Sequence, residues 1–312
     1  MSKSASAAIL DPLDISEGEI RAGTTIPAVD ATLGEVAYNP STPYAGVEVK
    51  INHEGSLYSS IAQSTGVTPG TDSAKWRRTG PSNRMAPFDD QMSTKAVASG
   101  EITYVLRPGF FTGVALYGVD AEEIEITLYD EPGGTVIDYW KQDMYEQALG
   151  LFEYLYMPLR AITKFQRKDF ELFPSAELRI TVRSKDGKRV AIGHLICGFW
   201  TALVGSGDFG GVEYGAAAEI KTYSYIKVNE DGTVTIVPRN TATNITANVF
   251  IESEQLNAAF DLLSKVAAKP VAFIASGLPK YDYLNTFGLV SATVSPGTWR
   301  TGSISLKVQG FI

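Results

Sequence analysis

Glu123-Ile124-Glu125-Ile126-Thr127-Leu128 places Ile124, Ile126 and Leu128 on one side of an extended chain and two acids and a threonine on the other. Successive side chains of a strand point to opposite faces, so this period of two predicts a half-buried β-strand. Working outward, Leu178-Arg179-Ile180-Thr181-Val182-Arg183 repeats the pattern. Ser184-Lys185-Asp186-Gly187-Lys188 then reads as a tight turn with glycine where φ is positive, and Val190-Ala191-Ile192-Gly193-His194-Leu195 reads as the return strand of a hairpin. A second hairpin is expected over residues 223–237, turning at Asn229-Glu230-Asp231-Gly232. Ile304, Leu306 and Val308 alternate with Ser303, Ser305 and Lys307 near the end of the chain. Glycines (29) and prolines (15) punctuate the whole length without a low-complexity block, as many short strands require.

One helix interrupts this pattern. Ser253 is placed to cap it, Glu254 lies in its first turn, and Leu256, Phe260, Leu263 and Ala267 recur at helical spacing. Lys265 and Lys269 suit the negative pole of its dipole, and Pro270 ends it. Val271-Ala272-Phe273-Ile274-Ala275 follows as a buried strand. Tyr145, Leu149, Phe152 and Tyr156 make a weaker helical stripe that Gly150 interrupts.

The expected fold is mainly β, with a small β module, a β-sandwich or jelly-roll-like middle domain, and a C-terminal α+β domain with one clear helix. The expected divisions are an N-terminal arm over 1–30, the small module over 31–90, the middle domain over 91–200, and the α+β domain over 201–312. Gly205-Ser206-Gly207-Asp208-Phe209-Gly210-Gly211 reads as the linker before the last of these.

Composition narrows the function. The 312 residues carry 27 basic and 35 acidic side chains, a net charge of -8, which argues against nucleic acid as a direct partner. No apolar run approaches the ~20 residues that span a bilayer, so no membrane insertion is expected. Met1-Ser2-Lys3-Ser4 lacks the apolar core of a secretory signal, and the lone Cys197 forms no intrachain disulfide, so a soluble protein made in a reducing compartment is expected.

Catalytic patterns are missing. The two histidines, His53 and His194, stand beside no nucleophile motif, and His194 shares a strand face with Val190 and Ile192. Asp89-Asp90 reads as turn chemistry and Glu122-Glu123 as a solvated strand face, because neighbours on a strand diverge. Gly205 to Gly211 matches no phosphate-binding loop. No catalytic residue, cofactor or metal site is therefore expected.

Two stretches carry a resemblance. Tyr44-Ala45-Gly46-Val47-Glu48-Val49, Gly55-Ser56-Leu57-Tyr58, Gly66-Val67-Thr68-Pro69 and Lys75-Trp76 follow one another in an order that resembles the small chitin-binding module of secreted hydrolases. The continuation Gly80-Pro81-Ser82-Asn83-Arg84-Met85-Ala86-Pro87-Phe88-Asp89 resembles tailed-bacteriophage virion proteins, as do residues 190–198, Tyr214-Gly215 and residues 221–225. Read from the residues alone, Gly80-Pro81 makes a turn, Asn83 bonds local backbone, and Arg84 pairs with Asp89 or Asp90. The resemblance implies a non-enzymatic structural subunit of a phage tail, neck or baseplate, assembled in the bacterial cytoplasm and located in the virion. Its expected partners are copies of itself and other tail or neck proteins. The alternative is a receptor-binding virion protein that contacts host glycan, with Tyr44, Tyr58 and Trp76 as contacts, although Trp76 suits the core of a tiny sheet better than a sugar contact. A virion enzyme that degrades glycan is the third reading.

Two segments are candidate interfaces. Residues 145–173 crowd Phe152, Tyr154, Tyr156, Phe165, Phe170 and Phe173 together, with Phe152, Tyr154 and Tyr156 as contact residues. The first 30 residues hold too few large apolar groups for a core of their own, so they read as an arm reaching a neighbouring chain through Ile9, Leu10 and Leu13, the alternative being an edge strand packed along their own subunit.

Overall fold

A computed structural model describes residues 7–46, 49–89, 93–146, 150–157, 160–204, 210–228, 232–239 and 241–311, apart from the side chains of Glu153, Tyr154 and Pro279. The chain is mainly β, with curled sheets in a sandwich-like arrangement and one well-formed helix. It divides into two units, one of Leu13–Ile196 and one of Met1–Pro12 with Cys197–Ile312. This differs from the four segments expected in sequence order. The first twelve residues fold with the last third of the chain, and the small module and the middle domain fall within one unit.

The Leu13–Ile196 unit is built on an antiparallel sheet in the order Val136–Asp143, Glu123–Tyr129, Glu177–Arg183, Glu101–Leu106. Register pairs Ile126 with Ile180, and Ile180 with Tyr104, so the alternating apolar residues of three strands stack on one face. Ile124, Ile126, Leu128, Leu178, Ile180 and Val182 are all buried, as their period of two predicts. The expected hairpin over residues 178–195 does not form. Its turn exists, with Asp186 at φ 59° and Gly187 at φ 65°, but the two strands join different sheets. Glu177–Arg183 pairs with Glu101–Leu106, whereas Arg189–Ile192 pairs with Ala96–Ser99. The Gly100 N–H donates to the Lys188 carbonyl and the Ser184 N–H to the Gly100 carbonyl, both at 2.8 Å. One two-stranded ribbon thus bends at Gly100 and Gly187, where positive φ lets both chains turn the same corner.

The small module in this unit has the strand order Glu35–Ala37, Lys50–His53, Ser56–Ser60, Trp76–Pro81. Its first pair is parallel and the others antiparallel. Gly80 and Pro81 lie in the last of these strands rather than in a turn.

In the other unit, residues 197–202 of the strand His194–Ala202 lead a sheet that continues through Ala8–Pro12, Val271–Ile274, Asn285–Pro296, Thr301–Gly310 and Thr241–Glu252. Gly211–Val212 and Ala217–Thr222 both pair with Thr241–Glu252. Ala8–Pro12 is an interior strand: Ala8 faces Ala202 on one side and Ile274 on the other. Ile9 and Leu10 are completely buried in the chain's own sheet, and Leu13 is half-buried. The expected outreaching arm is therefore corrected. An extended segment with few apolar residues needs no core of its own when two neighbouring strands take up its backbone hydrogen bonds.

Among the described residues two α-helices are found, α1 (Leu151–Tyr156) and α2 (Leu256–Val266). Helix α2 lays Ala259, Leu263 and Val266 on a core that includes Ile9, Val249, Phe273 and Ile304. The expected stripe is rotated, since Phe260 is 57% exposed and Ala267 is exposed too. Ser253 does not cap α2. It begins a 3-10 turn, Ser253–Gln255, and its hydroxyl donates to the Thr298 carbonyl at 3.2 Å.

Candidate functional site

The conspicuous motif Gly80 to Asp89 is a structural lock. Asn83 Nδ2 donates to Asp30 Oδ2 at 2.7 Å and to the Val97 carbonyl at 2.9 Å, while the Val97 N–H donates back to Asn83 Oδ1 at 2.9 Å. The Asn83 N–H donates to Glu35 Oε1 at 2.8 Å, and Asn52 Nδ2 donates to Glu35 Oε2 at 2.8 Å. All four side chains, Asp30, Glu35, Asn52 and Asn83, are buried. Asn83 thus bonds segments about 50 residues away, not the local backbone expected of it. Burial raises the Asp30 pKa, but hydrogen bonds from Thr32 and Asn83 outweigh it and hold the carboxyl below its ordinary value. Arg84 donates to the Ile20 carbonyl at 3.3 Å and Asp89 accepts from Thr94 at 2.8 Å. Asp90 lies outside the described residues.

The candidate glycan contacts divide. Trp76 is 3% exposed, its indole N–H donates to the Val67 carbonyl at 2.8 Å, and its ring packs 5.1 Å from Tyr44 and 6.1 Å from Tyr38. It plugs the module, as the core reading of Trp76 has it, and offers no face to a sugar. Tyr44 belongs to the same cluster, and its hydroxyl accepts from the Asn39 N–H at 2.9 Å. Tyr58 is half-buried on Ser56–Ser60, beside Gly70. Elsewhere on the module, Lys50, Arg77 and Arg78 line a shallow cleft of about 460 Å³ with Ser59 and Thr79.

A larger cleft of about 1560 Å³ is lined by Glu122, Glu123, Asp143, Glu146 and Trp140. Glu122, Glu123 and Glu146 have cations beside them. Glu122 accepts from Lys188 Nζ at 2.8 Å and from the Lys185 N–H at 3.2 Å, which lowers its pKa. Glu123 is 2.8 Å from Lys141 Nζ, and this hydrogen bond raises the lysine's pKa. Arg183 reaches Glu101, Glu123 and Glu125 at 3.2–3.5 Å. Held by Lys188 and Lys185, Glu122 is stabilised as an anion, the opposite of what a general acid requires. His194 is buried, and burial pushes the Cys197 thiol up to about 12. Among the described residues no group of three or more His, Cys, Asp or Glu could hold a metal.

The aromatic crowd of residues 145–173 separates into two populations. Phe165 and Phe170 are buried, and Phe111 packs on Phe170 at 5.8 Å. Phe152 and Tyr156 on α1 are 64% and 73% exposed, with their rings tilted against each other and their centroids 5.2 Å apart. Leu151, Leu155 and Met157 are exposed beside them. The side chain of Tyr154 lies outside the described residues, as does Leu149. Helix α1 therefore presents apolar side chains to solvent.

A second apolar element was not foreseen as a surface. The ribbon of Ala217–Thr222 and the first part of Thr241–Glu252 continues into a two-stranded hairpin, Tyr225–Val228 with Val234–Val237. Ser224 holds the junction: the Arg239 N–H donates to its Oγ at 2.9 Å, and that hydroxyl donates to the Arg239 carbonyl at 3.3 Å. Register pairs Ile226 with Ile236 and Val228 with Val234, so these four share one face, and they are 59–69% exposed. The hairpin was legible from its alternation, but alternation normally marks a face covered by the chain's own core. Residues 229–231 of its turn, and residues 205–209 of the expected linker, lie outside the described residues.

No protein-family model and no curated protein matches the chain. About 38% of it is similar to 80% of a solved structure described as the F5/8 type C domain of a Bacteroides fragilis protein, at 12% identity and a TM-score of 0.23. A likeness of that size carries no argument.

Proposed function

We propose that this chain is a non-enzymatic structural subunit of a tailed-phage virion, in the tail, neck or baseplate, that assembles through contacts between subunits. The virion setting rests on the sequence resemblance of residues 80–89 and 190–198. The assembly role rests on one observation, the run of exposed large apolar side chains along α1, which a monomer gains nothing by presenting to water. A Glu122 held as an anion by Lys188 and a deeply buried Cys197 favour a part without catalytic chemistry. The test is incorporation into particles. A Phe152→Ser, Tyr156→Ser double variant should fold with the wild-type melting temperature and be lost from assembled virions. Wild-type incorporation of that variant would overturn the reading.

The alternative, recognition of host glycan by the small module, takes a different form once Trp76 is buried. The cleft with Lys50, Arg77 and Arg78 favours an anionic saccharide over a neutral one stacked on aromatics. Binding of an acidic bacterial polysaccharide that disappears in Arg77→Ala, Arg78→Ala would support it.

A further inference from the structure

The geometry points to the hairpin of residues 225–237 as a contact between copies of this chain, its Ile226, Val228, Val234 and Ile236 face packing on the same face of a second copy. This deepens the assembly reading by naming a partner, and it rests on that reading only for the premise that copies meet. The surface is separate from α1.

Three observations carry it. First, the ribbon from Ala217 to Val228 is twelve residues long, roughly 40 Å at strand rise, and almost all of its side chains are exposed. A two-stranded hairpin in water is at best marginally stable on its own, so a long one needs something against its apolar face. Second, the two faces differ. On one, Tyr225 carries the Arg239 guanidinium 4.8 Å from its ring centre and Lys227 stands across from Thr235. The other bears two cross-strand aliphatic pairs, Ile226 with Ile236 and Val228 with Val234. A chargeless face of two near-equivalent pairs has no charge pattern with which to select a different protein, and it is complementary to its own copy across a two-fold axis. Third, with Ile220 these aliphatics expose on the order of 600 Å² per copy, so two copies would bury ~1,200 Å², the lower edge of the range for a stable interface.

The full-length purified chain is the material for the test, with its mass in solution measured by light scattering and sedimentation equilibrium over a range of concentrations. The wild type should self-associate. Ile226→Lys with Ile236→Lys should return it to monomer with an unchanged melting temperature. The milder Val228→Thr with Val234→Thr, which keeps β-branching and so the hairpin, should weaken association in the same direction. Lys227→Ser on the opposite face, and Phe152→Ser with Tyr156→Ser on α1, should leave the self-associated state intact. A wild type that stays monomeric overturns the proposal, as does an assembly that survives both hairpin variants. A monomer that uses the hairpin to bind a different virion protein also overturns it. An oligomer lost only in the α1 variant would sink the hairpin contact while sparing the assembly reading.

Discussion

Asn83 shows what one residue holds together. Through its side chain and backbone it satisfies Asp30, Glu35 and Val97, which come from three separate segments. Removing its side chain strands Asp30 Oδ2 and the N–H and carbonyl of Val97, while Glu35 keeps the backbone N–H of residue 83, and an unsatisfied buried group costs about 1–3 kcal/mol, more when charged. Asn83→Ala should therefore lower the unfolding free energy of the Leu13–Ile196 unit by about 3 kcal/mol in urea titration, and an unchanged midpoint would show that water replaces the amide. Asp30 adds a pH dependence with a definite sign. Its folded pKa lies below its ordinary value of 3.8, so its contribution is fully present above that value and is lost as pH falls through the lowered one. Asp30→Asn should flatten the acid limb of stability below about pH 4, which acid titration followed by circular dichroism would read. The motif was visible in the sequence as a run of unusual residues. That Asn83 bonds distant carboxylates rather than its neighbours was not, because a side-chain amide carries no mark of which backbone will pass beside it.

At the scale of elements, α2 separates pattern from orientation. Leu263 is 6% exposed and Phe260 is 57% exposed, although both fit an apolar stripe by spacing. Ala259 faces inward in place of the phenylalanine, because the stripe at residues 256, 259, 263 and 266 fits a 3.6-residue period as well as the expected one. Leu263→Ala should cost about 2–5 kcal/mol. Phe260→Ala should stay within about 0.5 kcal/mol. Comparable losses in both, measured by thermal melting, would mean that the phenylalanine is covered. The ribbon around Gly100 and Gly187 makes the same point for strands. Its alternation and its turn were legible, yet the choice between folding back as a hairpin and bending into two sheets was made by a second chain, Ala96–Ser99 and Glu101–Leu106, running alongside.

For the molecule as a whole, the decisive feature is that the first strand completes a sheet made by the last third of the chain. Ile9 and Leu10 are fully buried between partners near residues 200 and 273. Losing either side chain costs about 2–5 kcal/mol, and the two together approach the 5–15 kcal/mol that holds a whole domain. Deleting residues 2–12 should therefore unfold the unit containing Cys197–Ile312 rather than merely detach an arm, with loss of its β signal in circular dichroism. A truncated protein that melts like the full chain would refute this. The sequence by itself determined that the protein is mainly β, where the alternating strands Glu123–Tyr129, Glu177–Arg183 and Thr301–Gly310 lie, and that one helix of about three turns precedes a buried strand. Those are local properties, set by the direction in which successive side chains point. Only the tertiary structure decided that Ala8–Pro12 is interior and that the face of Ile226 and Ile236 is left uncovered. Burial belongs to the neighbours a residue acquires, and in this chain those neighbours arrive from as far as 266 residues away, as Ile274 does beside Ala8.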